Sequence, residues 1–265
     1  MLENMVNFYL APNLPADRHA FFGRNGGVSE GIYASFNFNR KSRDKAENIE
    51  KNLELVGRFY GLPGNAVMRP CQGHTDKAVY VDRPSRYEIE PAGGAPARPG
   101  IILGITTADC MPVLLADEKH GVIGAAHAGW RGALAGVIEN TVKVMLERGA
   151  AGEELAPAAE DFAAAAGPCL QKESFEVQND MRNLFLDRDK DNERFFTPCA
   201  GERWLCDLEA FVRHRLDLIG IKNVSFSGID TYANPELYFS YRRCRPLGQI
   251  AVKDDFPIEL STIRL

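Results

Sequence analysis

The segment 101–132 constrains the fold of this chain more than any other, because it holds three short apolar runs separated by polar turns. The runs span residues 101–105, 111–116 and 121–126. Apolar runs of this length, bounded by turns, are typical of buried strands. Two of them carry a potential metal ligand at one end: Cys110 directly precedes the second run, and His127 directly follows the third.

A third potential ligand, His74, lies upstream between two further short apolar stretches. Ends of neighbouring strands converge on one edge of a sheet, so Cys110, His127 and His74 are predicted to form a cluster. One thiolate and two imidazoles suit Zn²⁺, and three protein ligands leave the fourth tetrahedral position open, as in catalytic zinc sites. The spacing is not a short-range motif, and for each residue alone a buried thiol or a structural histidine remains the alternative.

Several polar residues near these runs are candidates for further roles. Asp109 is a candidate to orient a ligand, accept a proton or cap the turn. Arg24, inside the glycine-rich turn 23–29, and Arg131 are candidates for an anion contact or a structural pairing. Arg242 and Arg243 follow an apolar run and are the stronger anion candidates, the alternative being a solvated charged face.

The remaining pattern predicts one α/β (α+β) domain over residues 1–265, a layered structure with mixed β-sheets flanked by helices. Helices are predicted at 45–60, 133–147, 173–186 and 205–219. Strands are predicted at 6–10, 19–22, 67–68, 78–81, 224–226, 238–241 and 250–252. The run 162–166 fits either a helix or a buried strand, and 91–100 and 149–160 are predicted loops.

Composition narrows the functional classes. A formal charge of -5 argues against a nucleic-acid-binding protein with a basic face. No apolar run approaches the roughly 18–20 residues that span a bilayer, and the N-terminus lacks a signal-peptide pattern, so no membrane contact and a cytoplasmic location are expected. Six scattered cysteines suit reduced thiols or metal ligands better than a disulfide framework.

Two motifs carry a resemblance to a known family. Residues 107–115 read TADCMPVLL and residues 127–132 read HAGWRG. This pair resembles the hallmark of the YfiH-like laccase-domain proteins, once described as multicopper polyphenol oxidases and now regarded as zinc-containing purine nucleoside phosphorylases. Weaker matches lie at 24–29, 35–37, 52, 72–74, 167–169 and 240–243.

The resemblance implies a metal site on His74, Cys110 and His127, which agrees with the cluster reached from the residues. It also implies phosphorolysis of adenosine, inosine, guanosine and methylthioadenosine, with adenosine deamination as a further activity. The small-molecule partners would be a nucleoside and phosphate. The candidate substrate-binding residues are Arg24, Asn37, Gln72, Arg131, Arg242 and Arg243, and the candidate catalytic residues are the three ligands with Asp109. Thr75 and Gln249 depart from the family pattern, which usually has glycine and arginine there.

Three alternatives stay open. One is an enzyme that edits cell-wall precursors by removing wrong amino acids from muramyl nucleotides. The second is a copper phenol oxidase. A multicopper cluster needs many histidine ligands, and the presence of only five histidines in the chain argues against it. The third is a non-enzymatic small-molecule binder with a structural zinc, for which Cys71 would have to supply a fourth ligand.

Overall fold

A computed structural model describes residues 6–81, 94–97, 100–149, 158–250 and 252–265, with residues 94–97 and 149 described by their backbone. Its β-strands form two five-stranded sheets and one three-stranded sheet. The first sheet has the order β1-β2-β13-β5-β3: β1 Phe8–Tyr9, β2 His19–Phe22, β13 Glu259–Arg264, β5 Ile102–Thr107 and β3 Val67–Met68. The second has the order β12-β8-β6-β7-β4: β12 Asn223–Phe226, β8 Ala163–Ala166, β6 Met111–Asp117, β7 Val122–Ala128 and β4 Gly94–Ala97.

The third sheet is antiparallel, in the order β10-β11-β9. Its strands are β10 Phe196–Cys199, β11 Arg203–Cys206 and β9 Glu176–Gln178. The α-helices of the described residues are α1 Ala46–Phe59, α2 Trp130–Ala135, α3 Val137–Gly149, α4 Asn179–Arg188, α5 Leu208–Ile219 and α6 Tyr241–Cys244.

The two large sheets pack face to face, and helices cover their outer faces. Alternate residues of β6 point to opposite sides: Leu114 and Ala116 enter the core between the sheets, whereas Val113 and Leu115 enter the core that contains α3 and α5. A third core joins the outer face of the first sheet to α1. A strand buried on both faces must be apolar at nearly every position, which is why β5, β6 and β7 are so evident in the sequence.

Most of the predicted elements are confirmed. The strands at 19–22, 67–68 and 224–226 and helix α1 lie within a residue or two of the prediction, and 162–166 is a buried strand. The predicted helix 133–147 is two helices, because Gly136 adopts a left-handed φ of 105° between α2 and α3. The α/β class with mixed sheets and flanking helices is confirmed, while the single-domain organisation remains a prediction.

Several predicted elements are wrong. The predicted helix 173–186 combines β9 with α4. The predicted helix 205–219 is confirmed as α5, which ends at Ile219, but its first residues belong to β11 and the helix begins at Leu208. The runs 78–81 and 238–241 are not continuous strands. The predicted loop 91–100 contains β4, although 91–93, 98 and 99 lie outside the described residues, as do 150–157 of the predicted loop 149–160. Residue 251 of the predicted strand 250–252 also lies outside the described residues. The last strand of the structure is β13, which lies further along the chain at Glu259–Arg264.

No helix in the described part of the chain is both long enough and apolar enough to cross a membrane.

Candidate functional site

The candidate site lies where the chain passes from one large sheet to the other. β5 ends at Thr107 in the first sheet, and after a two-residue turn Cys110 precedes β6 in the second. β7 pairs antiparallel with β6, and the register sets His127 opposite Pro112, close to Cys110. His74 comes from the loop that follows β3, the neighbour of β5, and has a positive φ of 53°.

The three predicted ligands are brought together. Their ligand atoms lie within 4.8 Å of one another, and this is the one group of its kind among the described residues. Cys110 Sγ is 3.8 Å from His74 Nε2. The two imidazole rings are nearly perpendicular, at 80°, with their centroids 4.8 Å apart.

The hydrogen bonds of His127 leave one ring nitrogen available. Nδ1 lies 3.0 Å from the carbonyl oxygen of Thr106, so we assign its proton to Nδ1, which donates to that oxygen. Nε2 is buried and has no hydrogen-bond partner. A buried polar atom without a partner is costly unless a ligand completes it, and here Nε2 borders the same space beside Gly129 as Cys110 and His74.

The carboxamide of Gln72 fixes this arrangement. Its Oε1 accepts hydrogen bonds from the Thr106 amide (2.8 Å) and hydroxyl (3.0 Å), and its Nε2 donates to the Thr106 carbonyl (2.6 Å) and contacts His127 Nδ1. Every polar atom of this side chain is therefore engaged in positioning the end of β5 and His127. Gln72, predicted to bind substrate, orients a ligand of the cluster in this structure.

Gly129 leaves open the space that an ion needs. A Cβ added there would lie 2.6 Å from Cys110 Sγ, 3.3 Å from His127 Nε2 and 3.3 Å from His74 Cδ2. The backbone of Gly129 (φ -64°, ψ 158°) is accessible to any residue, so the requirement for glycine comes from space rather than from conformation. The donor set, the unpartnered Nε2 and this gap together fit a metal ion.

The electrostatics of the cluster favour neutral imidazoles. Burial, reinforced by the neighbouring His74, lowers the pKa of His127 to about 3. Burial and the charge of Arg131 lower the pKa of His74 as well. Burial and the Asp109 carboxylate raise the pKa of the Cys110 thiol to about 12, against the opposing effect of Arg131. A cation must therefore displace the thiol proton when it binds, so binding releases a proton.

Two cavities adjoin the cluster, and His74, Ala108 and Cys110 contribute to both. The larger cleft has a volume of about 630 Å³. Its walls include Trp130, Phe175 and Tyr241 with Arg131, Arg242, Arg245, Asp109, Glu176 and Gln178. The smaller, about 170 Å³, also touches His127 and Gln72. Its walls include Phe38, Asn39, Arg40, Lys41, Arg69 and Asp254.

Two of the predicted anion-binding arginines are committed to the backbone. Arg24 donates to the carbonyls of Ala34 (2.9 and 3.1 Å) and Pro235 (2.6 Å). Arg243 donates to the carbonyls of Thr231 and Tyr232, each at 2.8 Å, and also to that of Tyr238. We call this pair of arginines, with the carbonyls that they bind, the arginine latch. Neither arginine lines the two cavities.

Asn37 is likewise a structural residue. It is fully buried, its Oδ1 accepts from the amides of Asn39 (3.0 Å) and Ile258 (3.1 Å), and its Nδ2 donates to Ser42 and Asp44. It does not line either cavity.

Arg131 and Arg242 do line the larger cleft. Arg131 stacks on Trp130, with its guanidinium carbon 4.1 Å from the ring centroid. Arg242 donates to the carbonyl of Glu176 at 2.9 Å and lies over the Phe175 ring at 5.6 Å. Both guanidinium groups therefore line the cleft, and each packs over an aromatic ring.

Asp109 connects the cluster to the segment that carries Arg242. It has a positive φ of 83°, its Oδ1 accepts from the Thr231 hydroxyl at 2.7 Å, and its Oδ2 accepts from the Arg242 amide at 2.6 Å. Burial raises the pKa of its carboxyl, which these hydrogen bonds oppose. Asp109 is not among the three ligands that lie together.

The sequence reasoning missed the residues that shape the larger cleft. Phe175 and Glu176 were assigned to the interior of a helix, and no local pattern marks Gln178 or Tyr241. The adjacent cations Arg40 and Lys41, separated by two residues from the weak motif at 35–37, are the sequence signal that points to the smaller cavity. Cys71 lines the smaller cavity and, like Cys199, is half-buried, whereas Cys169, Cys206 and Cys244 are buried.

Comparison with known proteins identifies the family of the chain. The family model described as "Multi-copper polyphenol oxidoreductase laccase" matches residues 18–252. A purine nucleoside phosphorylase of Deinococcus radiodurans is 34% identical over 88% of this chain and 86% of its own length. The purine nucleoside phosphorylase YfiH of Escherichia coli is 30% identical over 86% of this chain and 89% of its own.

Solved structures share the fold. A Neisseria meningitidis protein has a TM-score of 0.81 at 28% identity and covers 98% of this chain and 99% of its own. A Bacillus licheniformis YfiH protein has a TM-score of 0.83 at 23% identity over 93% of this chain and 92% of its own, which bears on the fold alone. The chain therefore belongs to the YfiH-like laccase-domain family.

Proposed function

We propose that this protein is a zinc-dependent purine nucleoside phosphorylase acting on adenosine, inosine, guanosine and methylthioadenosine, with adenosine deamination as a further activity. The proposal is supported by relatives that carry the name purine nucleoside phosphorylase at 30–34% identity. It is also supported by a cleft of about 630 Å³ beside the cluster, within the range of roughly 300–1,000 Å³ that is usual for small-molecule sites.

The observation that carries the proposal is the buried, unpartnered Nε2 of His127, which lies with Cys110 and His74 at the junction of the two cavities. A structural zinc normally has four protein ligands, whereas three ligands beside open space are the arrangement of a catalytic centre. A zinc ion held there supplies a Lewis acid that polarises an oxygen of substrate or water.

The ligand set also bears on the copper alternative that the family description raises. A multicopper centre needs many imidazoles. Of the five histidines in the chain, two reach the cluster. His19 bonds to the main chain at Ala11 and Pro15, and His120 pairs with Asp117 at 2.6 Å. A Cys-His-His set with an open position suits zinc better.

In the proposed reaction, this chain binds and orients the nucleoside in the larger cleft. Phe175 and Tyr241 provide flat apolar walls for the purine, and Arg242 provides donors close to them. A phosphate oxygen forms a bond to the anomeric carbon as the glycosidic C–N bond breaks. The bonding pair leaves with the purine, which takes up a proton, and ribose 1-phosphate is the second product.

Asp109 has a positioning role in this proposal, in place of the proton transfer considered from the sequence. Both of its oxygens already accept hydrogen bonds, from Thr231 and from the Arg242 amide. Its carboxylate thereby ties the turn before Cys110 to the helix that presents Arg242.

The test is base release from adenosine and inosine by zinc-loaded protein, with and without phosphate, with ribose 1-phosphate and ammonia measured alongside. We expect phosphate-dependent release of adenine and hypoxanthine in equal amount to ribose 1-phosphate, and phosphate-independent ammonia release from adenosine alone.

The matched variants are Cys110→Ala and Cys199→Ala, which each remove one half-buried thiol, the second outside the cluster. Cys110→Ala should abolish both activities with the fold retained, and Cys199→Ala should keep them. Absence of phosphate-dependent base release in the zinc-loaded wild type would refute the phosphorylase, and full activity in Cys110→Ala would refute the site.

A further inference from the structure

The two cavities on either side of the cluster differ in size and in charge, and this difference suggests that they bind different substrates. Residues His74 and Cys110 belong to both walls, so the cavities meet at the cluster. The smaller, at about 170 Å³, lies below the range of roughly 300–1,000 Å³ that accommodates drug-sized ligands. It suits a small ion rather than a nucleoside.

We propose that the smaller cavity is the phosphate subsite and that phosphate reaches the anomeric carbon from the side opposite the larger, nucleoside-binding cleft. This inference rests on the proposed phosphorylase function and assigns each of its two substrates to one cavity. It replaces the prediction that Arg24 and Arg243 contact an anion, because both guanidinium groups are held by main-chain carbonyls and neither lines a cavity.

The charges of the walls favour this assignment. Among the described residues, Arg40, Lys41 and Arg69 line the smaller cavity together with one carboxylate, that of Asp254. In the larger cleft two carboxylates, Asp109 and Glu176, lie among the arginines and oppose a dianion.

Two cationic side chains in the wall of the smaller cavity have N–H donors that are available to bind an anion. Arg40 pairs with Glu50 at 3.1 Å, with both side chains exposed, and the remaining N–H groups of its guanidinium are available. Among the described residues no carboxylate pairs with the ammonium of Lys41, which is exposed at the cavity wall. An ammonium and a guanidinium side by side are common partners of phosphate.

The loop that carries these cations is held in place by buried amides. Asn39 donates to the carbonyls of Asp254 (2.8 Å) and Phe256 (2.6 Å), and its Oδ1 accepts from the Lys41 amide at 2.9 Å. Arg69, itself buried, donates to the carbonyl of Phe38 at 2.6 Å. The backbone at 38–41 is therefore preorganised, which lowers the entropy cost of binding an anion there.

The chemistry of substitution fits the same geometry. The nucleophile and the leaving base occupy opposite faces of the anomeric carbon as one bond forms and the other breaks. A ribose at the junction would have its purine in the larger cleft and its opposite face towards the smaller cavity. A site that supplies phosphate from the second cavity therefore needs no rearrangement between binding and reaction.

The test combines steady-state kinetics with calorimetric titration of inorganic phosphate into zinc-loaded protein. We expect Lys41→Gln and Arg40→Gln each to raise the KM and the Kd for phosphate on the order of tenfold, as loss of a charge-assisted contact does. The KM for inosine should stay within twofold, and Lys41→Arg should restore phosphate binding. Lys51→Gln removes the same charge from the exposed side of α1 and lines neither cavity, so it should change nothing.

The outcomes separate this inference from the function on which it rests. If Lys41→Gln and Arg40→Gln leave phosphate binding unchanged, or if Arg245→Gln in the larger cleft weakens it instead, the subsite assignment is overturned. If the wild type releases no base but binds phosphate, and Lys41→Gln weakens that binding, the phosphorylase proposal fails while the anion site stands. No phosphate binding by the zinc-loaded wild type would refute the subsite.

Discussion

The metal cluster and the arginine latch use polar side chains in opposite ways. In the cluster, His127 Nε2 is buried and has no partner. In the latch, the guanidinium groups of Arg24 and Arg243 donate to five carbonyls, those of Ala34, Pro235, Thr231, Tyr232 and Tyr238. Both regions were candidates from the sequence because both contain residues that bind ions.

The difference is informative because unsatisfied buried groups are costly and rare. An arginine held by several main-chain carbonyls stabilises the fold, whereas a buried imidazole nitrogen without a partner, lying beside two further ligands, is available to bind a metal ion. The comparison predicts that substitutions in the cluster affect metal binding and activity, and that those in the latch affect stability.

The largest effect is expected for His127→Ala. Removing one of three ligands should lower zinc affinity more than the roughly 10–100-fold that is typical for loss of an outer-shell partner, and activity should disappear. The free energy of unfolding of the metal-free protein should fall by about 3 kcal/mol or less, because the ring makes one main-chain hydrogen bond. Zinc affinity measured by competition with a chelator checks this, and wild-type affinity in the variant would remove His127 from the cluster.

Gly129→Ala tests whether the gap beside Gly129 holds the metal ion, because it fills that gap without changing a ligand. The added methyl group would lie 2.6 Å from Cys110 Sγ, so zinc affinity should fall by about 10–100-fold although all three ligands remain. The circular dichroism of the metal-free variant should match that of the wild type, since the backbone there accepts alanine. A variant that binds zinc with unchanged affinity would show that the ion does not lie between these residues.

Arg243→Gln tests the latch. The loss of bonds to the carbonyls of Thr231, Tyr232 and Tyr238 should lower the free energy of unfolding by about 2 kcal/mol. The KM values for inosine and phosphate should stay within twofold. Arg188→Gln, at an exposed position at the end of α4, should change stability by less than about 0.5 kcal/mol. A large rise in KM at unchanged stability would instead return Arg243 to the substrate-binding residues.

Asp109→Asn lies between the two regions and distinguishes positioning from proton transfer. If Asp109 only positions Arg242, zinc content should be unchanged, the KM for inosine should rise several-fold, and kcat should fall less than about tenfold. Loss of a general acid or base would reduce kcat by about 10²–10⁴-fold and would alter its pH profile. Kinetics from pH 5 to pH 9 decide between these outcomes.

The smallest effect concerns Glu259, which is buried behind the latch and accepts a hydrogen bond from the amide of Phe239. Burial raises the pKa of its carboxyl well above 4.5. Its contribution to stability is therefore complete below the unfolded-state pKa and is lost as pH rises towards the folded-state pKa. The free energy of unfolding of Glu259→Gln, minus that of the wild type, should increase with pH above 4.5 by at most about 1.4 kcal/mol per pH unit. A difference that does not change with pH would contradict this.

The strands that could be predicted are those that are buried on both faces, because such burial requires an apolar amino-acid composition. β5, β6 and β7 are apolar at most positions because cores lie on both of their faces. β13 was missed because it carries Glu259, Ser261 and Thr262 into the interior, where Thr262 bonds to Tyr60 at 2.7 Å and Glu259 to Phe239. A strand that buries polar groups with distant partners has no local apolar signal.

The residues of the candidate site also fall into two groups, those with a local sequence signal and those without one. Cys110 and His127 were predictable because they stand at the ends of evident strands, β6 and β7. His74 instead lies in the loop after β3, so its place in the cluster depends on tertiary contacts. The latch was not predictable, because the carbonyl that Arg24 binds at Pro235 is 211 residues away in the chain, and nothing local reveals that contact. The same holds for the larger cleft, whose Glu176 and Gln178 belong to a small sheet that the helical periodicity concealed.

X-ray absorption spectroscopy of the zinc-loaded protein tests the central claim most directly. We expect about one zinc per chain with one sulfur ligand at about 2.3 Å and two nitrogen ligands at about 2.0–2.1 Å, completed by a light atom from solvent or substrate. Cys71→Ala should leave the spectrum unchanged and Cys110→Ala should remove the sulfur signal. Two sulfur ligands in the wild type, or no stoichiometric zinc, would contradict a three-ligand catalytic centre at Cys110, His127 and His74.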